Sequence, residues 1–306
     1  MTLSNKIKSI ALDIGFSKVG ITSANIDENE IQNLNEWFNK KYDASMSWMH
    51  KSFEKRIDPK KILPNVKSII CVALNYYTNF EHSTDLKAGK ISRYAWGTDY
   101  HLVMEKMLKK FKIEIEKLAP ESKNKIYVDT GPVMEKYFSQ KSGIGWRGKH
   151  TNVISKDFGS WIFLGEILTT LDLDYNAPME DFCGTCTACL DACPTNAIVE
   201  PYLVDSNKCI SYLTIEHKDE FKNINYDFKN WVYGCDICQD VCPWNSNQRE
   251  SIINDFMPRT DNINPQLEKI IEMDSETFKK QFNKSPIKRT KISGLKRNAK
   301  YIVLSN

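Results

Sequence analysis

The sequence predicts an α+β protein built from three successive parts. Residues 1–177 alternate short apolar runs with amphipathic segments, a pattern that predicts an N-terminal α/β domain. Residues 178–255 hold eight of the nine cysteines, mostly in two closely spaced runs. Residues 256–306 carry no strand pattern and become basic, so we expect a short helical C-terminal segment. A chain of 306 residues with 41% hydrophobic and 26% charged residues can bury a substantial core.

The N-terminal part should contain helices and strands in alternation. Helices are expected over residues 6–14, 31–39, 98 or 99 to 118, and 133–140, and strands over residues 18–22, 68–75, 125–129 and 160–168. Ile31, Leu34 and Phe38 illustrate the helical spacing of the apolar residues. The run at 68–75 is continuous, apolar and rich in β-branched residues, which predicts a buried strand. It contains Cys71, the one cysteine outside residues 178–255, which we expect to act as a small buried hydrophobic residue.

The two cysteine runs have the spacing of iron–sulfur ligands. The first, from Cys183 to Pro194, reads C-x2-C-x2-C-x3-C-P, the ferredoxin pattern in which the fourth cysteine binds the other cluster. The second, from Cys235 to Pro243, lacks its middle cysteine, and Cys209 can make up the deficit. Asp205 and Ser206 should cap the helix that carries Cys209. A ferredoxin-like module with two 4Fe–4S clusters would then use Cys183, Cys186, Cys189 and Cys242 for one cluster, and Cys193, Cys209, Cys235 and Cys238 for the other.

Two other uses of these cysteines fit the spacing less well. Disulfides need an oxidising compartment, and residues 1–20 contain no apolar signal segment. A zinc ribbon needs paired cysteines, but neither the third cysteine at two-residue spacing nor the two Cys-Pro endings. No stretch approaches the length that spans a membrane, so we expect a cytoplasmic protein without a membrane partner.

Asp129 is the carboxylate best suited by position to acid catalysis. It ends a predicted strand and precedes Thr-Gly-Pro, so it should lie half-buried at the edge of a cleft. Half-burial would raise the pKa of its carboxyl towards neutrality, as a general acid requires. The same position also fits a residue that only caps the following turn and helix. Similarly, Arg56 could pair with an anionic group or form an ordinary surface ion pair.

The net charge of +3 conceals a basic C-terminus. From residue 284 to the end there is no acidic residue, and the basic ones are Lys284, Lys288, Arg289, Lys291, Lys296, Arg297 and Lys300. Such a block is either a solvated tail or a surface that binds a polyanion, and charge alone does not decide between them.

Several segments are long and unusual enough to carry a family resemblance. They are residues 92–101 (SRYAWGTDYH), 128–132 (VDTGP), 143–152 (GIGWRGKHTN), 209–216 (CISYLTIE) and 234–245 (GCDICQDVCPWN). Together with the first cysteine run, they resemble the epoxyqueuosine reductase family of tRNA-modification enzymes. The resemblance extends over nearly the whole chain.

This resemblance implies a reaction and its cofactors. The family reduces the epoxide of epoxyqueuosine at the wobble position of the tRNA anticodon to queuosine, the last step of queuosine biosynthesis. Its cofactors are cob(II)alamin and two 4Fe–4S clusters, with cobalamin between the N-terminal catalytic domain and the ferredoxin-like module. Asp129 matches the family's proton donor. The residues in segments that match cobalamin-lining stretches are Arg56, Ala95, Asp129, Asn152, Ser211 and Asp236.

The implied partners are a tRNA carrying epoxyqueuosine and an unidentified electron donor, and we expect a monomer. Family members often continue into a C-terminal helical-repeat domain, whose opening helix residues 294–304 resemble. One alternative is a corrinoid reductive dehalogenase, although those enzymes usually carry a twin-arginine export signal that residues 1–20 lack. Another is an electron-transfer protein whose N-terminal domain docks a redox partner and which binds no corrinoid.

Overall fold

A computed structural model describes residues 1–222, 224–246 and 248–305. Its strands are β1 (Lys18–Ser23), β2 (Ser68–Asn75), β3 (Lys90–Ile91), β4 (Asn124–Tyr127), β5 (Trp146–Arg147), β6 (Val153–Ile154), β7 (Ile162–Thr169), β8 (Ile198–Glu200), β9 (Leu203–Val204) and β10 (Trp231–Tyr233). Its helices are α1 (Leu3–Ile14), α2 (Glu28–Asn39), α3 (Ser47–Lys51), α4 (Phe53–Ile57), α5 (Tyr100–Leu118), α6 (Glu135–Lys141), α7 (Ala188–Asp191), α8 (Ile210–Ile215), α9 (Ile237–Asp240), α10 (Leu267–Glu272), α11 (Ser275–Gln281) and α12 (Lys291–Ser305). Within these described ranges, no helix is both long enough and apolar enough to cross a bilayer.

A four-stranded sheet forms the centre of the N-terminal part, in the order β1-β2-β7-β4. The two middle strands, β2 and β7, pair along their full length, and every residue of β2 is buried as its apolar run predicts. All three pairings are antiparallel. The α+β class predicted for the whole chain is therefore confirmed, but the N-terminal part is not the α/β arrangement expected. A strand pattern does not record the direction in which the chain re-enters the sheet.

Alternation along β2 divides its side chains between two hydrophobic layers. Ile70 and Val72 belong to the layer that includes apolar residues of α1 and α5. Cys71 and Ala73 belong to the opposite layer, with Phe138 of α6. The Cys71 thiol is free and completely buried, as predicted. The sheet therefore holds α5 on one face and α6 on the other, and both helices begin near the Asp129 loop, residues 128–134.

The helix starts agree with the sequence in one case and disagree in another. Asp99 caps α5, because its Oδ1 accepts the backbone N–H of His101 at 3.1 Å. The predicted cap of α8 at Asp205 is wrong. Asp205 closes a turn of its own by accepting the N–H of Asn207 at 3.0 Å, and α8 begins four residues later with Cys209 at its N-cap position.

The C-terminal segment is part of the protein core. Leu295 and Ala299 of α12 are buried against Val232 of β10 and Leu213 of α8. In turn, β10 pairs in parallel with β3 from the N-terminal part. The cysteine-rich and C-terminal segments therefore share one hydrophobic core with residues 91–96.

Both arginines among the seven basic residues near the C-terminus have structural partners. Arg297 is buried, and its guanidinium donates to the backbone oxygens of Leu213 at 3.0 Å, His217 at 2.9 Å and Asp219 at 2.7 Å. Arg289 pairs with Glu216, with 3.0 Å between Nε and Oε1. Neither alternative for the basic block, a solvated tail or a polyanion-binding surface, applies to Arg297, because its charge is buried.

Candidate active site

A cleft lies between the central sheet and the cysteine-rich segment. Its volume is about 1470 Å³ when the open mouth is included. The N-terminal side contributes the loop that carries Asp129, the start of α6 and the loop around Asn152. The other side contributes the starts of α8 and α9 and the cysteines Cys193, Cys209, Cys235 and Cys238. One cleft thus brings together Asp129 and the whole second predicted set of cluster ligands.

The cysteine thiols have neighbours that fall into the same two sets as the predicted ligands. Cys189 lies within electrostatic range of Cys183, Cys186 and Cys242, and burial and then these neighbours raise its pKa to about 11. In the other set, Cys235 lies within range of Cys209 and Cys238, and burial and then Cys238 raise its pKa well above the ordinary value. Coordination to iron would instead lower the pKa of these thiols, because it stabilises the thiolate form.

The two sets are adjacent but differ in exposure. Cys238 lies within electrostatic range of Cys189, whereas Cys186 of the first set is exposed to solvent. In the described part of the chain, no group of three or more His, Cys, Asp or Glu side chains is arranged to hold a single ion.

Asp129 occupies a tight and unusual backbone position. Its φ of 53° lies in the left-handed region, and its N–H donates to Oε1 of Glu135 at 2.5 Å. Its Oδ2 lies 3.4 Å from Nε2 of His101, and its side chain is 59% exposed. Desolvation raises the pKa of this carboxyl, but the hydrogen bond and charge of His101 outweigh that effect and hold the pKa below its usual value. The predicted rise of the Asp129 pKa through half-burial is therefore wrong.

His101 is the functional candidate that sequence reasoning missed. Its Nδ1 lies 2.7 Å from Oδ1 of Asp99, and its Nε2 faces Asp129. Burial lowers the pKa of this imidazole, but the hydrogen bonds that its ring donates to the two carboxylates raise the pKa to about 9, so the ring is protonated at neutral pH. The available signal was the Asp99-x-His101 pair at the predicted start of α5, which places the ring beside the capping carboxylate.

The cleft contains an unsatisfied donor at His150. This ring is buried, its Nδ1 accepts the N–H of Asn152 at 3.1 Å, and its Nε2 has no hydrogen-bond partner among the described residues. Burial lowers the pKa of His150 to about 4, so the ring is neutral and its Nε2 carries the hydrogen. The side chain of Asn152 is oriented by Lys136, whose Nζ donates to Asn152 Oδ1 at 3.1 Å.

The other residues predicted to bind the cofactor are distributed unevenly. Ser211 and Asp236 line the cleft. Asp236 is buried and accepts the Arg93 N–H at 2.7 Å and the hydroxyl of Ser92, so it also ties the second cluster segment to residues 92–93. Ala95 is completely buried in the core and does not line the cleft. Arg56 lies behind the Asp129 loop, where its guanidinium donates to the Val133 oxygen at 3.3 Å.

Comparison with known proteins decides the family. The family model described as epoxyqueuosine reductase QueG, DUF1730, matches residues 56–130, and the 4Fe-4S double cluster binding domain matches residues 182–245. The epoxyqueuosine reductase of Atelocyanobacterium thalassa is 44% identical over 98% of this chain and 99% of its own length. The corresponding protein of Synechocystis is 46% identical over 92% of this chain and 98% of its own length. This chain belongs to the epoxyqueuosine reductase family.

Solved structures of this family have the same fold. The epoxyqueuosine reductase of Streptococcus thermophilus superposes with a TM-score of 0.88 at 32% identity, over 99% of this chain and 81% of the other. An epoxyqueuosine reductase in complex with an epoxyqueuosine-modified tRNA-Tyr stem loop superposes with a TM-score of 0.91 at 29% identity, over the same shares. As an epoxyqueuosine reductase, this protein is an oxidoreductase that acts on epoxyqueuosine in tRNA, and it carries a domain for two 4Fe–4S clusters.

Proposed function

We propose that the epoxide is reduced in the cleft described above, between the Asp129 loop and the second set of cysteines, with cobalamin bound there. The observation that carries the proposal is the shared cleft. One wall holds a carboxylate paired with a protonated imidazole, and the facing wall holds Cys193, Cys209, Cys235 and Cys238. Removal of an epoxide oxygen as water consumes two electrons and two protons, so a proton source and an electron source must reach one substrate.

The residues of the cleft fit cobalamin in two respects. Tyr100 and Phe163 both line the cleft and stack on each other with ring centroids 4.4 Å apart and planes 5° apart, which gives the cleft an ordered apolar wall. The unpartnered Nε2 of His150 offers a buried donor to an amide carbonyl, and Ser211 offers a hydroxyl. When bound, cobalamin would supply a low-valent cobalt able to engage an epoxide carbon. Asn152, Ser211 and Asp236 would line its site, whereas Ala95 and Arg56 would act only indirectly.

Asp129 and His101 would protonate the departing oxygen together. In the open cleft Asp129 is ionised, because His101 holds its pKa low, and His101 carries the proton. When substrate excludes water from the cleft, the charge on Asp129 becomes costlier, which favours transfer of the proton from Nε2 of His101 to Oδ2 of Asp129. Asp129 then donates to the oxygen as the C–O bond breaks. An epoxyqueuosine reductase from Bacillus subtilis has been solved with its catalytic aspartate loop swung out of the active site, which supports a mobile acid at this position.

Electrons would enter through the more exposed cluster. The set formed by Cys183, Cys186, Cys189 and Cys242 includes the exposed Cys186, so it is accessible to an electron donor. The other set lines the cleft and is adjacent to the first through Cys189 and Cys238. The ligand sets therefore define a path from the surface to the substrate. Residues 1–177, 178–255 and 256–306 would serve as the catalytic part, the cluster module and a basic segment beside the tRNA.

Conversion of tRNA by the anaerobic protein with cobalamin and a chemical reductant tests this proposal. Mass analysis of the tRNA nucleosides should show queuosine formed by the natural protein, and Asp129→Asn should reduce turnover at least about 100-fold. Cluster iron and bound corrinoid should remain unchanged in that variant. Asp172→Asn is the matched control, since Asp172 is 74% exposed and its ion pair within the described ranges is with Lys67 at 3.5 Å.

Two results would contradict the proposal in different ways. Normal turnover by Asp129→Asn would remove that residue from the acid role while leaving the cleft assignment intact. A protein with full iron content that takes up no corrinoid would exclude cobalamin, and would favour the electron-transfer alternative.

A further inference from the structure

Two glutamates lie beneath the Asp129 loop, and the proton transfer described above uses neither of them. Glu135 is the first residue of α6 and lines the cleft, where its Oε1 accepts the N–H of Asp129 at 2.5 Å. Glu166 lies on the central strand β7, opposite Cys71 on β2 and Tyr127 on β4. It is 0% exposed. An acidic residue at such a position needs a partner or a proton.

The contacts of Glu166 indicate that it holds a proton. Neither of its oxygens receives a hydrogen bond from a donor in the described part of the chain. Its polar neighbour is the carboxyl group of Glu135, and two adjacent carboxyls of this kind hydrogen-bond only when one of them is protonated. The thiol of Cys71, which faces the same space, is kept neutral by burial, which raises its pKa well above the ordinary value.

We propose that Glu135 and Glu166 form a proton-sharing pair that positions the Asp129 loop and donates the second proton consumed in epoxide reduction. This inference rests on the proposed function. In the overall balance, the epoxide oxygen leaves as water after it receives one proton from the Asp129–His101 pair and one from Glu135. The clusters deliver the two electrons, and the alkene remains. Glu166 returns a proton to Glu135, and solvent reloads the pair through the exposed Asp129.

The surroundings of the pair favour its protonated form near neutral pH. Burial and then the negative charge of Asp129 raise the pKa of Glu135 to about 7, and burial and then Glu135 raise that of Glu166 well above its ordinary value.

Opposing positive charges face the pair from His101 on α5, Arg56 on α4 and Lys136 on α6. The remaining titratable neighbour is Tyr100 on α5, whose pKa burial and then Asp129 raise well above the ordinary value, so this phenol is neutral. Because the pKa of Glu135 is raised, its proton is present below about pH 7 and is lost as the pH rises through that value.

The test compares single-turnover rates of the loaded enzyme across pH about 5 to 9. The single-turnover rate of the natural protein should fall about tenfold for each pH unit above about pH 7. This fall is the pH limb near 7. Glu135→Gln keeps an oxygen for the Asp129 N–H but cannot titrate, so it should be about 10- to 100-fold slower at low pH and should lose the pH limb near 7. Glu135→Ala should be slower still, because it also releases the loop. Glu121→Gln, at an exposed position outside the cleft, is the matched control and should behave as the natural protein.

An infrared measurement gives a readout that does not depend on turnover. The carbonyl stretch of protonated carboxyls should be weaker in Glu166→Gln than in the natural protein at neutral pH, by the share of one carboxyl, and the pH limb near 7 should be retained in that variant. Persistence of that limb in Glu135→Gln, or an infrared band of unchanged intensity in Glu166→Gln, would overturn the proton-sharing pair. Absence of any conversion by the natural protein would instead refute the proposed function.

Discussion

The protonation of His101 is the electrostatic feature on which the proposed proton donation depends, and it can be measured directly. The ring is held between Asp99 at 2.7 Å and Asp129 at 3.4 Å, and these carboxylates raise its pKa to about 9 against the opposing effect of burial. Relative to an ordinary histidine at about 6.5, this corresponds to roughly 3 kcal/mol of preference for the charged ring. The shorter contact is with Asp99, so Asp99→Asn should lower the pKa of His101 more than Asp129→Asn does.

Two other histidines provide an internal comparison. His82 and His150 are also largely withdrawn from water, and burial lowers the pKa of each to about 4, in the same direction as the positive charges of Arg93 near His82 and Lys136 near His150. If both Asp99 and Asp129 are replaced by asparagine, burial acts on His101 alone, and its pKa should fall below about 6.5.

Nuclear magnetic resonance titration of labelled histidines in the oxidised protein measures these values. The chain has five histidines, and His101→Gln assigns the relevant signal. Since the pKa of His101 is raised, the charged pair is fully formed below about pH 6.5 and is lost as the pH rises through about 9, and turnover should decline over that upper range. A His101 signal that titrates at or below about 6.5 in the natural protein would refute the reasoning.

Three further predictions concern stability, clusters and tRNA. Arg297→Met should lower the free energy of unfolding by about 3–5 kcal/mol, because it leaves the carbonyls that Arg297 binds without their donor. Lys300→Met, at an exposed position, should change the free energy of unfolding little, and equal effects of the two variants would contradict this prediction. Cys209→Ser should reduce the iron content from about eight to about four atoms per chain, whereas Cys71→Ser should leave the iron content unchanged. Full iron content in Cys209→Ser would show that Cys209 is not a cluster ligand. Lys288→Glu should weaken tRNA binding at low salt and reduce its salt dependence, and unchanged affinity would show that this exposed lysine is only solvated.

The opposite behaviour of neighbouring carboxylates illustrates how the site is organised. Asp129 is held ionised by His101, whereas Glu135 and Glu166 are driven towards their protonated forms by burial and by each other. A site that keeps some carboxyls charged and others neutral at the same pH can both attract a proton and store one. This division depends on side chains from α5, α6 and β7 that meet at one place.

Local patterns in the sequence were sufficient for the cluster module and for much of the secondary structure. The cysteine spacing alone predicted two clusters, because thiolates on a short loop can reach only certain corners of a cubane. The apolar run at 68–75 and the capped start of α5 were read correctly for the same reason, since each depends on neighbours within a few residues. The family resemblance singled out Asp129 as the acid.

Tertiary structure alone decided the directions of the strands, the pKa of Asp129 and the fate of Arg297. Each depends on residues far apart in the chain: Asp129 on His101 of α5, Arg297 on carbonyls about 80 residues away. A sequence pattern reports which side chains prefer burial, but the charge state of a buried group is set by whatever the fold places beside it. For that reason the sequence could indicate Asp129 as the acid, while the charge of Asp129 and its partner His101 could be identified only in three dimensions.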